Sequence, residues 1–482
     1  MTDNNNNNNQ IMIIKDISTP ETTVFQSYLK TLNLPSENII ADTSQREAVM
    51  KNLPTLLSTI SNEDKSNANY LSKFVAASAI GLFDAALNYI WNEVIVNLRT
   101  KINYYGLDTF YDNAVGNKRR SEYSNKDDLS GIKDKTLLDT CKKLEWISDI
   151  IYRKLCHILD MRNQIGASHP NVSVINAYEL LGWLDVCVKE VINEKPSKSA
   201  IVAKNIIENI KGLKEEIDDV TIQSLDISFK DLSTNTASAL LVTLFGIYVS
   251  SDIPTIVRNN ILLVSSKLWG YVLESTKYDL GTKKEFYKNN LEKDKEDLAY
   301  TFFEKCNGLN YLTLTEKSLT INNLCDDLYL TTHGWDNYYN EPPIAKEIMK
   351  YIKLSSDIPE EQASKLIKTF LECRIGREVN YCNGVSPSAK LYYDNFFKIL
   401  SKEQIKILIA LLQDNLQSIN QNNTIKIQNI KEILELIKSD LLGDRLNEII
   451  NYLIECAEEN ILHTAYNQKE FKDLCNGVIE IK

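Results

Sequence analysis

The sequence predicts an all-α protein. Apolar residues recur at three- and four-residue spacings along most of the chain, strict β-type alternation is nearly absent, and helix-stop residues such as Gly106 follow the periodic runs. With 482 residues the chain is long enough for a large core and two or three domains. A hydrophobic content of 43% and a charged content of 25% are those of a soluble globular protein. The net charge of -11 argues against a protein that coats nucleic acid generally, while leaving room for a local basic cleft. Nine scattered cysteines form no CxxC pair, which favours buried small hydrophobes in a reducing compartment over a disulfide framework or a zinc site. The start, MTDNNNNNNQ, lacks the basic and apolar regions of a signal peptide, and the most apolar run, Ala237 to Val249, is too short to span a bilayer. A cytoplasmic protein with no membrane partner, no cofactor and no metal is the expectation.

In chain order, the asparagine tract of 4–9 makes residues 1–10 a disordered tail. Ser18-Thr19-Pro20-Glu21 resembles a cap with proline at the first helical position, so helices are expected over 20–32 and 43–61. Leu71, Phe74, Val75, Leu82, Leu87, Ile90, Val94 and Leu98 predict one long helix over 69–103, stopped by Gly106. Residues 106–134 read as a polar loop. Its Lys118-Arg119-Arg120 run is a candidate RNA contact, but Glu122, Asp127 and Asp128 offset it and favour a solvated connector. Leu137, Cys141, Leu144, Ile147, Ile151, Leu155 and Ile158 mark the next helix, with Gly166 and Pro170 closing it. Ser173 is placed to cap a helix over 174–193 that turns Ile175, Tyr178, Leu181, Leu184, Val188 and Val191 inward.

Glu194 to Ser199 reads as a linker, dividing an N-terminal helical domain (11–195) from a larger helical one (200–482). Beyond it the helical pattern breaks only at 309–345. There YLTLTEKSLTI suggests a small β-hairpin near 310–321 and GWDNYYNEPP a loop. Helices resume at about 344–353, 359–373, 386–399, 402–415, 426–438 and 444–459, with no internal repeat.

Chemistry concentrates at Arg162, Asn163 and His169. Arg162 falls four residues past Ile158, beside the core-facing stripe, where a guanidinium needs a partner or a ligand. Seven residues is close to two helical turns, so a continuing helix would bring His169 to the same face. A cation that forks onto phosphate and an imidazole that titrates near neutrality suit RNA cleavage without metal. The plainer reading is a surface arginine and a helix-end histidine that favour the C-terminal dipole. His157 reads as a core or supporting residue and His463 as a helix end. His333, near Asp326, Asp327 and Asp336, reads as part of a solvated loop rather than a metal site. No Walker A, HExxH or GxSxG motif occurs. Gly376 to Phe397, with its tyrosines and nearby Arg374 and Arg377, reads as a helix–helix turn or as a recognition surface for a base or peptide.

The R-N-x5-H pattern at 162–169, led in by a long helix, a connector and the helix LLDTCKKLEWISDIIYRKLCHILDMRN, resembles the HEPN superfamily of all-helical nucleases and RNA-binding proteins. The resemblance covers about residues 65–195. It implies an N-terminal HEPN-like helical bundle and a metal-independent endoribonuclease. His169 would act as general base or acid on the 2′-hydroxyl or the leaving 5′-oxygen, and Arg162 would hold the scissile phosphate. Asn163 would orient the phosphate or the histidine, leaving a 2′,3′-cyclic phosphate. It further implies a homodimer with paired motifs, an acid on the second helix (Asp84 or Glu93), and the role of a toxin or antiphage effector. An antitoxin or trigger-sensing partner, and a C-terminal domain that senses the trigger or restrains the nuclease, would go with that role. The six-residue spacer is at the long end of the family pattern, and Gly166 departs from it. A HEPN-like domain that binds RNA or a partner without cutting, or a helical scaffold, are the alternatives.

Overall fold

The computed structural model describes residues 22–165, 174–194, 197–417 and 424–481. Every regular element among them is helical, and they form two compact units, one ending at Leu273 and one beginning at Glu274. No helix among them is long and apolar enough to cross a membrane.

The first unit contains α1 (Thr22–Thr31), α2 (Thr43–Leu57), α3 (Asn62–Asn67), α4 (Asn69–Ile80), α5 (Phe83–Tyr105) and α6 (Leu107–Ala114). Then follow α7 (Asp134–Lys143), α8 (Asp149–Gln164), α9 (Ala177–Cys187), α10 (Lys198–Gly212), α11 (Asp219–Lys230), α12 (Thr234–Tyr248) and α13 (Thr255–Leu268). The centre is α5, which buries Phe83, Leu87, Ile90, Trp91, Val94, Leu98 and Ile102 and packs on α4, α8 and α9.

Two helices expected to be continuous are broken by left-handed residues. The run 69–103 divides at Gly81 (φ +88), where the Gly81 N–H donates to the Ser78 carbonyl and the Leu82 N–H to that of Ala77. A Cβ there would lie 2.9 Å from the Ala41 nitrogen, so glycine also admits the chain that enters α2. The run from Leu137 divides at Glu145 (φ +56), closed by the same pattern of bonds from Glu145 to Lys142 and from Trp146 to Cys141. A glutamate holds this strained position because its carboxylate accepts bonds from Ser233, Asn235 and Thr236 at the start of α12. The expected loop at 106–134 folds into α6 and two 3-10 turns, pinned where Trp91 donates to Asp134 (2.8 Å) and Tyr111 to the Asn125 carbonyl (2.7 Å).

The expected domain boundary at 194–199 is not where the chain divides. Helix α12 is buried nearly all round and needs neighbours on every side. It finds them in α6, α7, α10 and α13, and a Cβ at Gly246 would meet the Asp112 carboxylate at 2.7 Å. Residues 198–273 therefore belong to the first unit. The expected cap Ser173 lies outside the described residues; α9 is capped by Asn176 with Glu179 answering at its third position, and Tyr178 is exposed rather than inward.

The second unit contains α14 (Glu274–Asn289), α15 (Lys293–Lys305), α16 (Leu314–His333), α17 (Asn337–Tyr351) and α18 (Glu360–Ile375). Five more follow: α19 (Pro387–Lys398), α20 (Lys402–Gln417), α21 (Thr424–Ile437), α22 (Asp444–Glu458) and α23 (Lys469–Cys475). The hairpin expected near 310–321 is a 3-10 turn followed by α16, whose buried Lys317, Ile321, Cys325, Leu328 and Thr332 fall on one helical face. The expected loop GWDNYYNEPP becomes the start of α17 despite Pro342 and Pro343. Proline 342 cannot donate to the Tyr338 carbonyl, and the Ser386 hydroxyl does so instead at 2.8 Å.

Helix α4 has no capping side chain of its own at Ala68. Its free Tyr70 and Leu71 N–H groups are both met at 3.1 Å by the carboxylate of Glu93, which is 4% exposed in the middle of α5. Glu93→Ala would leave those donors unmet and is expected to destabilise the protein by about 1–3 kcal/mol, read as a lower urea midpoint.

Candidate functional site

Arg162 lies in the last turn of α8. Ser148 caps the start of that helix, accepting the Ile151 N–H at 3.2 Å, and Ile151, Leu155, Ile158 and Leu159 bury one face of it. Continuing that face by one turn brings Arg162 to the edge of the core, where it is half-buried. Its Nε donates to Asn88 Oδ1 on α5 at 3.0 Å, and its Nη1 to Asn163 Oδ1 at 3.0 Å. Asn88 in turn donates through Nδ2 to the Asp84 carbonyl at 3.0 Å, which orients its oxygen toward the guanidinium. Asn163 is exposed. Helix α8 ends at Gln164, so the face shared with Arg162 does not extend along this helix to His169, which lies outside the described residues together with Gly166.

Neither carboxylate expected to serve as an acid on the second helix meets Arg162. Glu93 is engaged as the cap of α4, and Asp84 meets Asn88 only through its backbone carbonyl. The group that reaches Arg162 is Asn88, which sequence reasoning missed. It lies 74 residues away, and its one local signal is its place one turn beyond Asp84.

No carboxylate lies within ion-pair distance of Arg162 among the described residues; in this it differs from Arg374 and Arg120, though not from Arg258 and Arg377, which brace the fold through backbone carbonyls. Arg374 is buried between Asp394 (2.7 Å) and Glu432 (2.6 Å). Burial pushes Glu432 upward, but Lys390 and Arg374 outweigh it and hold the carboxyl below its ordinary value. Arg120, with Lys118 and Arg119 the weaker candidate for an RNA contact, is bound to Asp112 (2.6 Å), Asp108 (3.2 Å) and the Tyr123 carbonyl (2.6 Å). Burial disfavours its charge, yet the two aspartates raise its pKa above the usual value. Arg119 pairs with Glu122 at 2.9 Å and donates to the Tyr123 hydroxyl at 2.8 Å, while Lys118 is exposed. The basic run therefore braces the connector on α6, except for Lys118, which makes no bond among the described residues.

The remaining histidines are elsewhere. His157 is exposed rather than in the core, with its ring edge toward Trp183. His333 ends α16 rather than lying in a loop, its Nδ1 2.8 Å from the Tyr329 carbonyl, and His463 is half-buried in the 3-10 turn Leu462–Asn467. No group of side chains suited to a metal is found among the described residues. Burial pushes the thiols of Cys141 and Cys187 up to about 12, which makes them poor nucleophiles.

No family profile matches the chain, and no solved structure matches it. A curated relative from Plasmodium falciparum (isolate 3D7), Protein PFC0760c, is 24% identical over 355 residues. The match spans 66% of this chain but only 9% of that protein's length.

The Asn88 amide and the Arg162 guanidinium should behave as a coupled pair. Each of Asn88→Ala and Arg162→Ala is expected to cost about 1 kcal/mol in urea unfolding, and the double variant clearly less than their sum. Strict additivity would show that the contact contributes nothing.

Proposed function

We propose that the first unit carries a metal-independent endoribonuclease site of HEPN type, formed by Arg162, Asn163 and His169. The observation that carries this reading is the setting of Arg162. Two neutral amides fix its position without cancelling its charge, so the guanidinium keeps its attraction for an anion and N–H groups to donate to one. The arginines that brace the structure at 120 and 374 are instead neutralised by carboxylates.

In the proposed reaction the RNA 2′-hydroxyl attacks the adjacent phosphorus as the bond to the 5′-oxygen breaks. The attacking hydroxyl loses its proton and the leaving oxygen gains one, and the His169 imidazole performs one of these transfers. Arg162 stabilises the charge that builds on the non-bridging oxygens, and Asn163, already bonded to Arg162, orients the phosphate. The products are a 2′,3′-cyclic phosphate and a free 5′-hydroxyl. By resemblance to the superfamily, the protein is a homodimeric cytoplasmic toxin or defence effector acting on cellular RNA. Residues beyond the first unit would sense a trigger or hold the nuclease in check, and an antitoxin or trigger-sensing partner would act on the whole.

The test is incubation of the purified full-length protein with RNA in excess EDTA, beside His169→Ala and Arg162→Ala, with product ends identified. Wild type is expected to yield cyclic-phosphate ends, and each variant to cut roughly 10²–10⁴-fold more slowly. Cleavage abolished by EDTA, or undiminished in His169→Ala, would overturn the mechanism. RNA retained at low salt but left intact would select binding without cutting.

A further inference from the structure

We infer that the surface formed by the end of α16, the start of α17 and the turn between α18 and α19 is a docking site for a basic peptide segment, one that presents arginine or lysine side chains. Three large aromatic rings stand in solvent there: Trp335 is 95% exposed, Tyr339 81% and Tyr381 67%. Aromatic side chains so exposed are typical anchors of interfaces rather than of free surfaces.

The frame beneath them is braced at several points. The Arg377 guanidinium donates to the carbonyls of Thr332 and Gly334 (2.7 Å to the latter), joining the turn to the end of α16. Asn429 on α21 donates to the carbonyls of Asn383 and Ile375, each at 2.9 Å. The Tyr338 ring lies over Tyr381 with centroids 5.6 Å apart, and its hydroxyl donates to the Tyr381 carbonyl at 3.2 Å. Cys382, Asn383 and Gly384 follow with φ of +52, +51 and +73, an unusual run of left-handed residues that these bonds sustain. The Cys382 thiol first, and the Tyr339 hydroxyl after it, hold the Tyr381 phenol above its ordinary value, so these groups share one patch.

Charge selects the partner. Arg377 is turned onto backbone carbonyls, Lys365 is paired with Asp326 at 2.6 Å, and Lys426 with Glu378 at 3.4 Å. Asp327 and Asp336 are exposed with no ion pair among the described residues. The Arg377 guanidinium already meets the carbonyls at the end of α16 and keeps its charge there, so the two aspartates outnumber it rather than stand unopposed. Aromatic faces attract cations, and exposed carboxylates reinforce that attraction. The same carboxylates repel a phosphate backbone, so the rings are poorly placed as a nucleic-acid stacking platform.

The test uses the full chain and a fluorescein-labelled Arg-Gly-Ser repeat peptide, read by anisotropy at physiological salt. A matching Glu-Gly-Ser peptide and a single-stranded oligonucleotide are the controls. The variant Trp335→Ala/Tyr381→Ala removes two solvent-exposed rings without changing net charge, and circular dichroism checks its fold. Wild type is expected to bind the arginine peptide in preference to both controls, and the variant to bind it about tenfold more weakly. Four results would overturn the proposal: no binding of the arginine peptide, equal binding by the variant, preference for the oligonucleotide, or self-association of the protein that the variant abolishes.

Discussion

A single buried carboxylate sets the geometry on which the first unit depends. Glu93 fixes α4 against α5 by meeting two N–H groups that α4 cannot satisfy itself. Asn97, one turn on, donates to the same carboxylate at 3.1 Å. Further polar ties radiate from the same helix. Trp91 reaches Asp134 at the start of α7, Asn88 reaches Arg162 on α8, and Lys101 reaches the Val191 carbonyl at 2.7 Å beyond the end of α9. Apolar burial supplies most of the cohesion of such a bundle but tolerates sliding, whereas these bonds are directional. They fix the rotation of α5, and with it the direction in which Asn88 presents its oxygen.

The helical class was legible because a helix in a core repeats its apolar residues every turn, and nearly every stretch of this chain does so. Where that reading stopped short, the reason was a contact with distant sequence. At Gly81 the residue type gave a clue to the break, but at Glu145 it did not. A glutamate enters the left-handed region there because of side chains some 90 residues later, at the start of α12. The stretch YLTLTEKSLTI shows alternation over a few residues, yet the burial of Lys317, Ile321 and Cys325 follows a four-residue step. Lys317 is the least expected of these on an inward face. It is admitted because its ammonium reaches the Asn310 carbonyl (2.8 Å) and Asp357 (3.2 Å), although burial still lowers its pKa.

The candidate site divides in the same way. Arg162 and Asn163 are neighbours, so their hydrogen bond was within reach of a motif, and the position of Arg162 at the margin of the apolar stripe followed from counting turns. Asn88 was out of reach, because only the packing of α8 on α5 brings it there. The run Lys118-Arg119-Arg120 shows the opposite limit. Three successive cations look like a patch in the sequence, but in the fold Arg120 turns inward to two aspartates of α6 and Arg119 turns along the surface to Glu122. The sign of a residue is local information; whether its field reaches solvent is not.

The two prolines near the start of α17 bear on the order in which the second unit assembles. A helix that must borrow a donor for Tyr338 from Ser386, 48 residues further on, lacks a full set of hydrogen bonds as an isolated segment. The Tyr338 carbonyl gains its donor only once the chain leading into α19 has arrived beside it. That closure spans a long loop, a slow event compared with the nanosecond growth of an ordinary helix. The opening turn of helix α17 thus leans on tertiary contacts, whereas its neighbour α16, free of internal proline, depends less on them.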